Sequence, residues 1–431
     1  MDSIWIKTAE APQFEALNGD IQTDVLVIGG GIAGILCAYM LKRSGVDCVL
    51  AEADRICGGI TKNTTAKITT QHGLIYDRML RRFGAEKTRL YWNAQQLALE
   101  KYRDLSREIS CDFENCDSYV YSRVDREKME REVAALNKIG CSADFVDQTA
   151  LPFAISGAVR VRDQAQFHPL KFLYAIAKDL PIYEKTKIRE LTPNGAVTAN
   201  GTIHAKKMIV ATHFPFLNKH GSYFLKLYQH RSYVLALENA PDLQGMYVDE
   251  SKTGLSFRNY DGLLLLGGGS HRTGKKGGGW EELSTAARRY YPTAREVARF
   301  ATQDCMTLDD LPYIGQYSKQ TPNLYVATGF NKWGMTSAMV SAMLLCDLVR
   351  EKQNDFADVF SPSRSILRPQ LAINTAESLL GILTPTAPRC PHLGCALKYN
   401  AQEHSWDCPC HGSRFDENGN LIDNPATGDQ K

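Results

Sequence analysis

The chain lacks a long apolar run. No stretch reaches the roughly 18 uninterrupted apolar residues that a membrane-spanning helix requires, and the apolar segment Met335–Val349 is too short to span and reads as a packed helix. It also lacks an excess of charge: the net value is +2, without a basic tail or patch, so there is no electrostatic case for nucleic acid. The start, M-D-S-I-W-I-K-T-A-E, has no basic region followed by an apolar run, so no secretory signal is expected. No internal repeat is visible. Cysteine is the exception to this list of absences. Twelve are scattered over the chain, which in a sequence without a signal predicts a cytoplasmic protein with mostly free thiols. The 431 residues, 44% hydrophobic and 23% charged, are those of an ordinary globular protein with an ample core. Roughly two or three domains are expected.

Four of the potential metal ligands fall into two short boxes near the C-terminus. Cys390 and His392 lie in C-P-H-L-G-C (390–395), and Cys408 and His411 in C-P-C-H-G-S (408–413). Two thiolates and two imidazoles suit a 2Fe–2S centre in which cysteines hold one iron and histidines the other. The same set also suits tetrahedral zinc. The flanks favour the cluster, because each box adds a second cysteine, Cys395 or Cys410, and a glycine, Gly394 or Gly412, that lets the backbone turn tightly around a ligand. The boxes resemble those of Rieske proteins, in particular the disulfide-containing subtype of respiratory and photosynthetic cytochrome complexes. That resemblance implies a Cys395–Cys410 bridge and makes Asn424-Pro425-Ala426 the loop covering the cluster. The subtype commonly has a tyrosine two places after the serine of its second box, but here Ser413 is followed by Arg414 and Phe415. Hydrogen bonds to cluster sulfurs stabilise the reduced form, so a potential below the respiratory examples is expected.

The front of the chain carries a different signal. Residues 24–36, D-V-L-V-I-G-G-G-I-A-G-I-L, run a buried strand into Gly29-x-Gly31-Ile32-Ala33-Gly34 and then into a helix, and a second strand ends at Glu52-Ala53. Strand, glycine turn, helix and acid together form a dinucleotide fingerprint, with the pyrophosphate at the helix N-terminus and the acid on the ribose. Three later segments resemble, in order, those of the D-amino-acid oxidase superfamily. They are R-I-C-G-G-I-T with T-T-A-K (55–61 and 64–67), K-K-M-I-V-A-T-H (206–213), and N-L-Y-V-A-T-G-F-N-K-W-G-M-T (323–336). The resemblance implies FAD, with Gly59, Thr61, Thr65, Ala66, Ile188, Ala211, Thr212, Gly329, Gly334, Met335 and Thr336 beside it. More narrowly, the chain resembles bacterial FAD-dependent oxidoreductases of the glycine oxidase type with a C-terminal Rieske domain.

The fold class expected is α/β: a Rossmann-type FAD-binding domain (20–75, 155–215, 300–350) interleaved with an α+β substrate domain (76–154, 216–299). A linker (351–386) and a small Rieske module (387–431) follow. Helices are expected over 84–110, 125–139 and 370–382, and strands over 231–238 and 262–269. Upstream of Cys390 no hairpin is apparent, so the module reads as a cluster-binding tip plus one β segment. At under about 50 residues it should lean on the flavin domain rather than fold alone.

A flavin handles two electrons and a 2Fe–2S cluster one, and the Rieske range, about −150 to +300 mV, favours flow from flavin to cluster. The combination predicts a dehydrogenase that oxidises a small amine or amino acid and passes electrons to an external one-electron acceptor. Alternatives are an NAD(P)H-linked reductase serving a partner enzyme, or a redox sensor. Lys332, where glycine-oxidase-like members carry a carboxylate-binding arginine, is the leading substrate residue. Arg258 and Arg231 are further candidates, and Lys67 and His72 could lie beside the flavin. Asp304 and Thr307 precede Pro312-Tyr313-Ile314-Gly315, which resembles a family segment near the flavin, and either residue could equally be structural.

Overall fold

The computed structural model describes residues 3–217, 220–251, 253–385 and 388–430, so the expected boundary between linker and module, at 386/387, lies outside the described residues. The first sheet is built on Ile21–Ile28, with Cys48–Ala51 and Ile182–Tyr183 on one side and Thr202–Val210, Leu324–Thr328 and Tyr313–Gln316 on the other. The strand pairs from Ile182 to Leu324 are parallel, while Tyr313–Gln316 at one edge and the hairpin Glu190–Thr192 and Gly195–Val197 beside Thr202–Val210 run antiparallel. Parallel strands need covering on both faces, which is why the stretches 25–28, 48–51, 208–210 and 324–327 are unbroken apolar runs. Helices Ile32–Arg43 and Gly334–Val349 pack on this sheet and on each other, and most of their residues are buried. All-round burial explains the weak amphipathic pattern of both.

The second sheet has the order Arg295–Thr307, Leu227–Glu238, Leu263–Arg272, Ser256–Tyr260, Met246–Asp249, Glu114–Ser122, Gly157–Gln166, Lys67–Ile68, with Ala143–Val146 beside Gly157–Gln166. The helices expected over 84–110 and 125–139 occupy Tyr76–Leu105, bent at Gly84, and Arg126–Lys138. The helix expected over 370–382 runs from Pro369 to Leu383.

The third sheet is small: Lys398–Asn400, Ser405–Asp407, Arg414–Asp416 and Leu421–Asp423, antiparallel in chain order. Four strands of three residues replace the single β segment expected. They are too short for a period-two pattern to show in the sequence. Among the described residues no strand of this sheet precedes Cys390. The segment expected as a linker is not loose either. Val359 and Phe360 are in the main core, and Arg364, its side chain 8% exposed, makes a bidentate ion pair with Asp309 at 2.9 Å.

Candidate functional site

At the C-terminal end of Ile21–Ile28 the chain turns through Gly29, whose φ of +107° only glycine adopts readily. A side chain at Gly29 would also meet the carbonyl of Ala211 at 2.7 Å, and one at Gly34 would meet the carbonyl of Gly29 at 1.8 Å. The glycines therefore let strand and helix close onto one another and leave the helix N-terminus open to a cavity of about 1330 Å³. Glu52 stands at the rim, accepting the N–H of Gly30 (2.6 Å) and of Asp54 (2.9 Å). All the residues expected to touch the dinucleotide line this cavity except Gly34, Ala66 and Thr336. Gly34 serves the helix–strand contact. The Ala66 carbonyl is bonded by Arg258 (2.9 Å), and the buried Thr336 hydroxyl donates to the Thr69 carbonyl (3.2 Å). A glycine cradle, two helix N-termini and a rim carboxylate fit an FAD.

Lys332 reaches the same cavity from a turn held rigid by its neighbours. Asn331 and Lys332 both have positive φ, +51° and +73°. For residues other than glycine that costs on the order of 1–3 kcal/mol each unless the surroundings enforce it. The enforcement is visible: Asn331 donates to the Gly329 carbonyl (2.7 Å) and accepts the Thr307 N–H (2.8 Å). Thr307 thus braces the turn. The Lys332 ammonium donates to the hydroxyls of Ser232 (3.2 Å) and Ser270 (3.1 Å). Asp304 shares this wall; burial raises its pKa, while Lys332 and His213 pull the other way. Lys67 also lines the cavity, and burial, with the Arg258 charge behind it, lowers its pKa to about 7. His72 lies under Trp333 with ring centroids 5.1 Å apart and is bonded to Tyr91 (2.6 Å). Burial takes it down to about 3, so it is neutral.

Two expected substrate residues are elsewhere. Arg258 is fully buried and its guanidinium donates to the carbonyls of Thr65 (2.6 Å), Ala66 (2.9 Å) and Phe167 (3.4 Å). It does not face the cavity; with Trp5, whose indole donates to the Thr64 carbonyl (2.7 Å), it fixes the loop that does. Arg231 is turned to the C-terminal module, where it forms a buried ion pair with Glu403.

The two ligand boxes close identically. The Cys390 N–H donates to the Cys395 carbonyl (2.8 Å) and the Gly394 N–H to that of Cys390 (2.9 Å). In the second box the Cys408 N–H donates to Ser413 (2.8 Å) and the Gly412 N–H to Cys408 (2.9 Å). Gly394 and Gly412 have φ of +76° and +89°. Cys395 and Cys410 form a disulfide across the boxes, which leaves Cys390 and Cys408 as the buried thiols. The His392 and His411 rings lie 5.0 Å apart, and the buried Nδ1 of His411 has no hydrogen-bond partner. A bare buried nitrogen is costly unless something binds it, and this donor set fits a 2Fe–2S cluster. Ser413, which accepts the Ala426 N–H (3.0 Å), lies against the Cys390 sulfur. Phe415 is fully buried and offers no donor.

The residues that the sequence did not reveal are those that join the module to the body. Arg414 sits among Glu403 (2.9 Å), Asp407 (3.0 Å) and Asp423 (3.0 Å), and Arg231 completes the group through Glu403. Arg272 donates to the carbonyls of Pro409 (3.0 Å) and Cys410 (3.1 Å). Gln303 donates to that of Gly412 (2.8 Å), and Lys187 to that of Thr427 (2.7 Å). Residues 421–424, 426, 427 and 429 line the same cavity as Gly29 and Gly329. No local signal marks the contacts of Arg231, Arg272, Gln303 and Lys187, since each joins residues more than a hundred positions apart.

Among the described residues no helix is long and apolar enough to cross a membrane. Residues 24–348 match the family model for FAD dependent oxidoreductases, DAO, and residues 355–431 that for the Rieske [2Fe-2S] domain. The chain is 33% identical to the Rieske 2Fe-2S iron-sulfur protein YhfW of Bacillus subtilis (strain 168), over 99% of this chain and 96% of that one. It is 24% identical to gamma-glutamylputrescine oxidoreductase of Escherichia coli (strain K12), over 84% and 93%. The structure superposes on glycine oxidase from Geobacillus kaustophilus with a TM-score of 0.67 at 20% identity, covering 80% of this chain and 99% of that one. Given the glycine cradle, the two ligand boxes and these matches, the chain belongs to the DAO family of FAD-dependent oxidoreductases and carries a C-terminal Rieske [2Fe-2S] domain.

Proposed function

We propose that the protein is a dehydrogenase that oxidises a small amine or amino acid at the flavin and delivers the electrons, through the Rieske cluster, to an external one-electron acceptor. The observation carrying this reading is that the cluster module walls the flavin cavity with its own residues, Leu421 to Asn424 among them. A module so placed is suited to take electrons from that cavity. Bound FAD supplies hydride acceptance and the cluster supplies one-electron transfer.

The chain's own residues then bind and orient. The Lys332 ammonium with the Ser232 and Ser270 hydroxyls forms a polar corner that suits a carboxylate. Asp304, beside it, suits an ammonium. Lys67, poised at about 7, can take up a proton near neutral pH. Cys390, Cys408, His392 and His411 would hold the cluster, and Trp333 over His72 closes one wall. The relative at 24% identity is named for γ-glutamylputrescine, an amine, which agrees with this substrate class. An NAD(P)H-linked reductase would need a second nucleotide site, but Gly267, Gly268 and Gly269 lie inside the strand Leu263–Arg272 and do not open a helix.

Anaerobic rapid mixing with a panel of secondary amines and amino acids tests the reading. Flavin bleaching by at least one of them, and turnover with a one-electron dye that outpaces turnover with oxygen, is expected. Bleaching by NADH alone would replace this reading with the reductase.

A further inference from the structure

The two cluster histidines stand in different surroundings. His411 is 3% exposed, with the edges of Phe214 and Phe224 toward it at 6.5 and 6.3 Å between ring centroids. His392 is half-buried, and its neighbour Leu393 is 40% exposed. His411 thus faces the body of the protein and His392 faces outward. One side chain bonds both to His411 and to a cavity residue: Gln229, on the strand Leu227–Glu238. Its Nε2 donates to the carbonyls of His411 (3.0 Å) and Asn424 (2.9 Å). Its Oε1 lies 3.1 Å from Nε2 of His213, a cavity residue. Carbonyls only accept, so the amide has one orientation, and Oε1 must accept from His213. His213 therefore carries a proton on Nε2. Asn424 extends the pattern, donating to the carbonyls of Thr212 (2.6 Å) and Phe214 (3.0 Å) on either side of His213.

We propose that Gln229 is a positioning residue for electron transfer: by joining His213 to His411 it fixes the flavin cavity and the histidine-held iron to each other, so that electrons are received on the His411 side and leave on the His392 side. This rests on the reading that the flavin feeds the cluster. One electron leaves the reduced flavin and one ferric ion becomes ferrous, with no bond made or broken. The external one-electron acceptor removes that electron before the second follows. Gln303 is the natural control. It makes a similar docking bond, to the Gly412 carbonyl, but its Oε1 accepts from Thr273 (3.0 Å) and not from a cavity residue.

The test compares holoenzymes of wild type, Gln229→Leu and Gln303→Leu. Bound flavin is reduced by anaerobic pulsed illumination with EDTA as donor, flavin and cluster absorbance are followed, and the dithionite-reduced cluster is recorded by electron paramagnetic resonance. In Gln229→Leu the cluster signal should be retained while flavin-to-cluster transfer slows at least about tenfold, and Gln303→Leu should stay within about twofold of wild type. Equal rates in Gln229→Leu and wild type overturn the proposal, as does equal slowing in both variants. If Gln229→Leu loses its cluster, His213→Phe decides, because it keeps both carbonyl bonds of Gln229: slower transfer supports the proposal and an unchanged rate overturns it. A wild-type cluster that never reduces after the flavin would instead overturn the functional reading beneath it.

Discussion

Removing Arg231 should loosen the cluster module from the flavin body. Arg231 and Glu403 are 5% and 8% exposed, and their carboxylate–guanidinium contact is bidentate, with Nε to Oε1 at 2.9 Å. Burial alone would push the Glu403 carboxyl upward, but Arg231, Arg414 and Tyr233 hold it at about 2, against an ordinary 4.5. At 1.36 kcal/mol for each tenfold change in proton affinity, that corresponds to about 3 kcal/mol. Breaking a buried pair by deleting one partner costs about 3–5 kcal/mol, because the other charge is left buried. Glu403 keeps Arg414 and Tyr233 when Arg231 is removed, so Arg231→Leu should destabilise by less than either figure, about 1–3 kcal/mol. Replacing both partners by apolar residues should cost less than the sum of the two single replacements, because the singles each lose the same ion pair. The assay is urea denaturation followed by the visible circular dichroism of the cluster, for Arg231→Leu, Glu403→Leu and the double variant. The sign with pH follows from the depressed carboxyl: its contribution is full above the unfolded value and is lost as pH falls from about 5 toward 2. An Arg231→Leu protein as stable as wild type, or a double variant destabilised by the sum of the singles, would refute this account of docking.

Three further outcomes follow from the site. Cys408→Ser should abolish the visible spectrum of the cluster while FAD remains bound, since the glycine cradle does not depend on the ligand boxes; absorbance and iron content check it. Lys67 is an ammonium below about 7 and a neutral amine above it, so the rate of flavin reduction by substrate should rise with pH through that value, and Lys67→Met should flatten the profile. Lys332→Ala removes a charge-assisted contact worth about 1.5–3 kcal/mol, so kcat/KM should fall by about ten- to hundredfold for carboxylate-bearing substrates and little for plain amines.

The parts of this molecule legible in the sequence are those where chemistry demands a residue type at a fixed spacing. Gly29 and Gly34 could be read because no side chain fits against the Ala211 and Gly29 carbonyls. Cys390, His392, Cys408 and His411 could be read because two short loops must present four ligands together. Arg231 and Arg258 could not be placed, because a buried arginine looks the same in sequence whether it faces a substrate, a carboxylate such as Glu403, or carbonyls such as those of Thr65 and Ala66. Gln229 and Gln303 gave no signal at all: a glutamine in a strand acquires its role only when a distant carbonyl arrives beside it. The three-residue strands around Trp406 and Phe415 escaped for a different reason, being too short to display alternation.

The central claim is that reduced flavin passes electrons to the Rieske cluster within one chain. Freeze-quenched electron paramagnetic resonance, on anaerobic protein mixed with a substrate that bleaches the flavin, tests it most directly. The account predicts a reduced Rieske signal that grows after the flavin is reduced and disappears when a one-electron acceptor is added. A flavin that stays reduced beside an oxidised cluster until oxygen is admitted would contradict it.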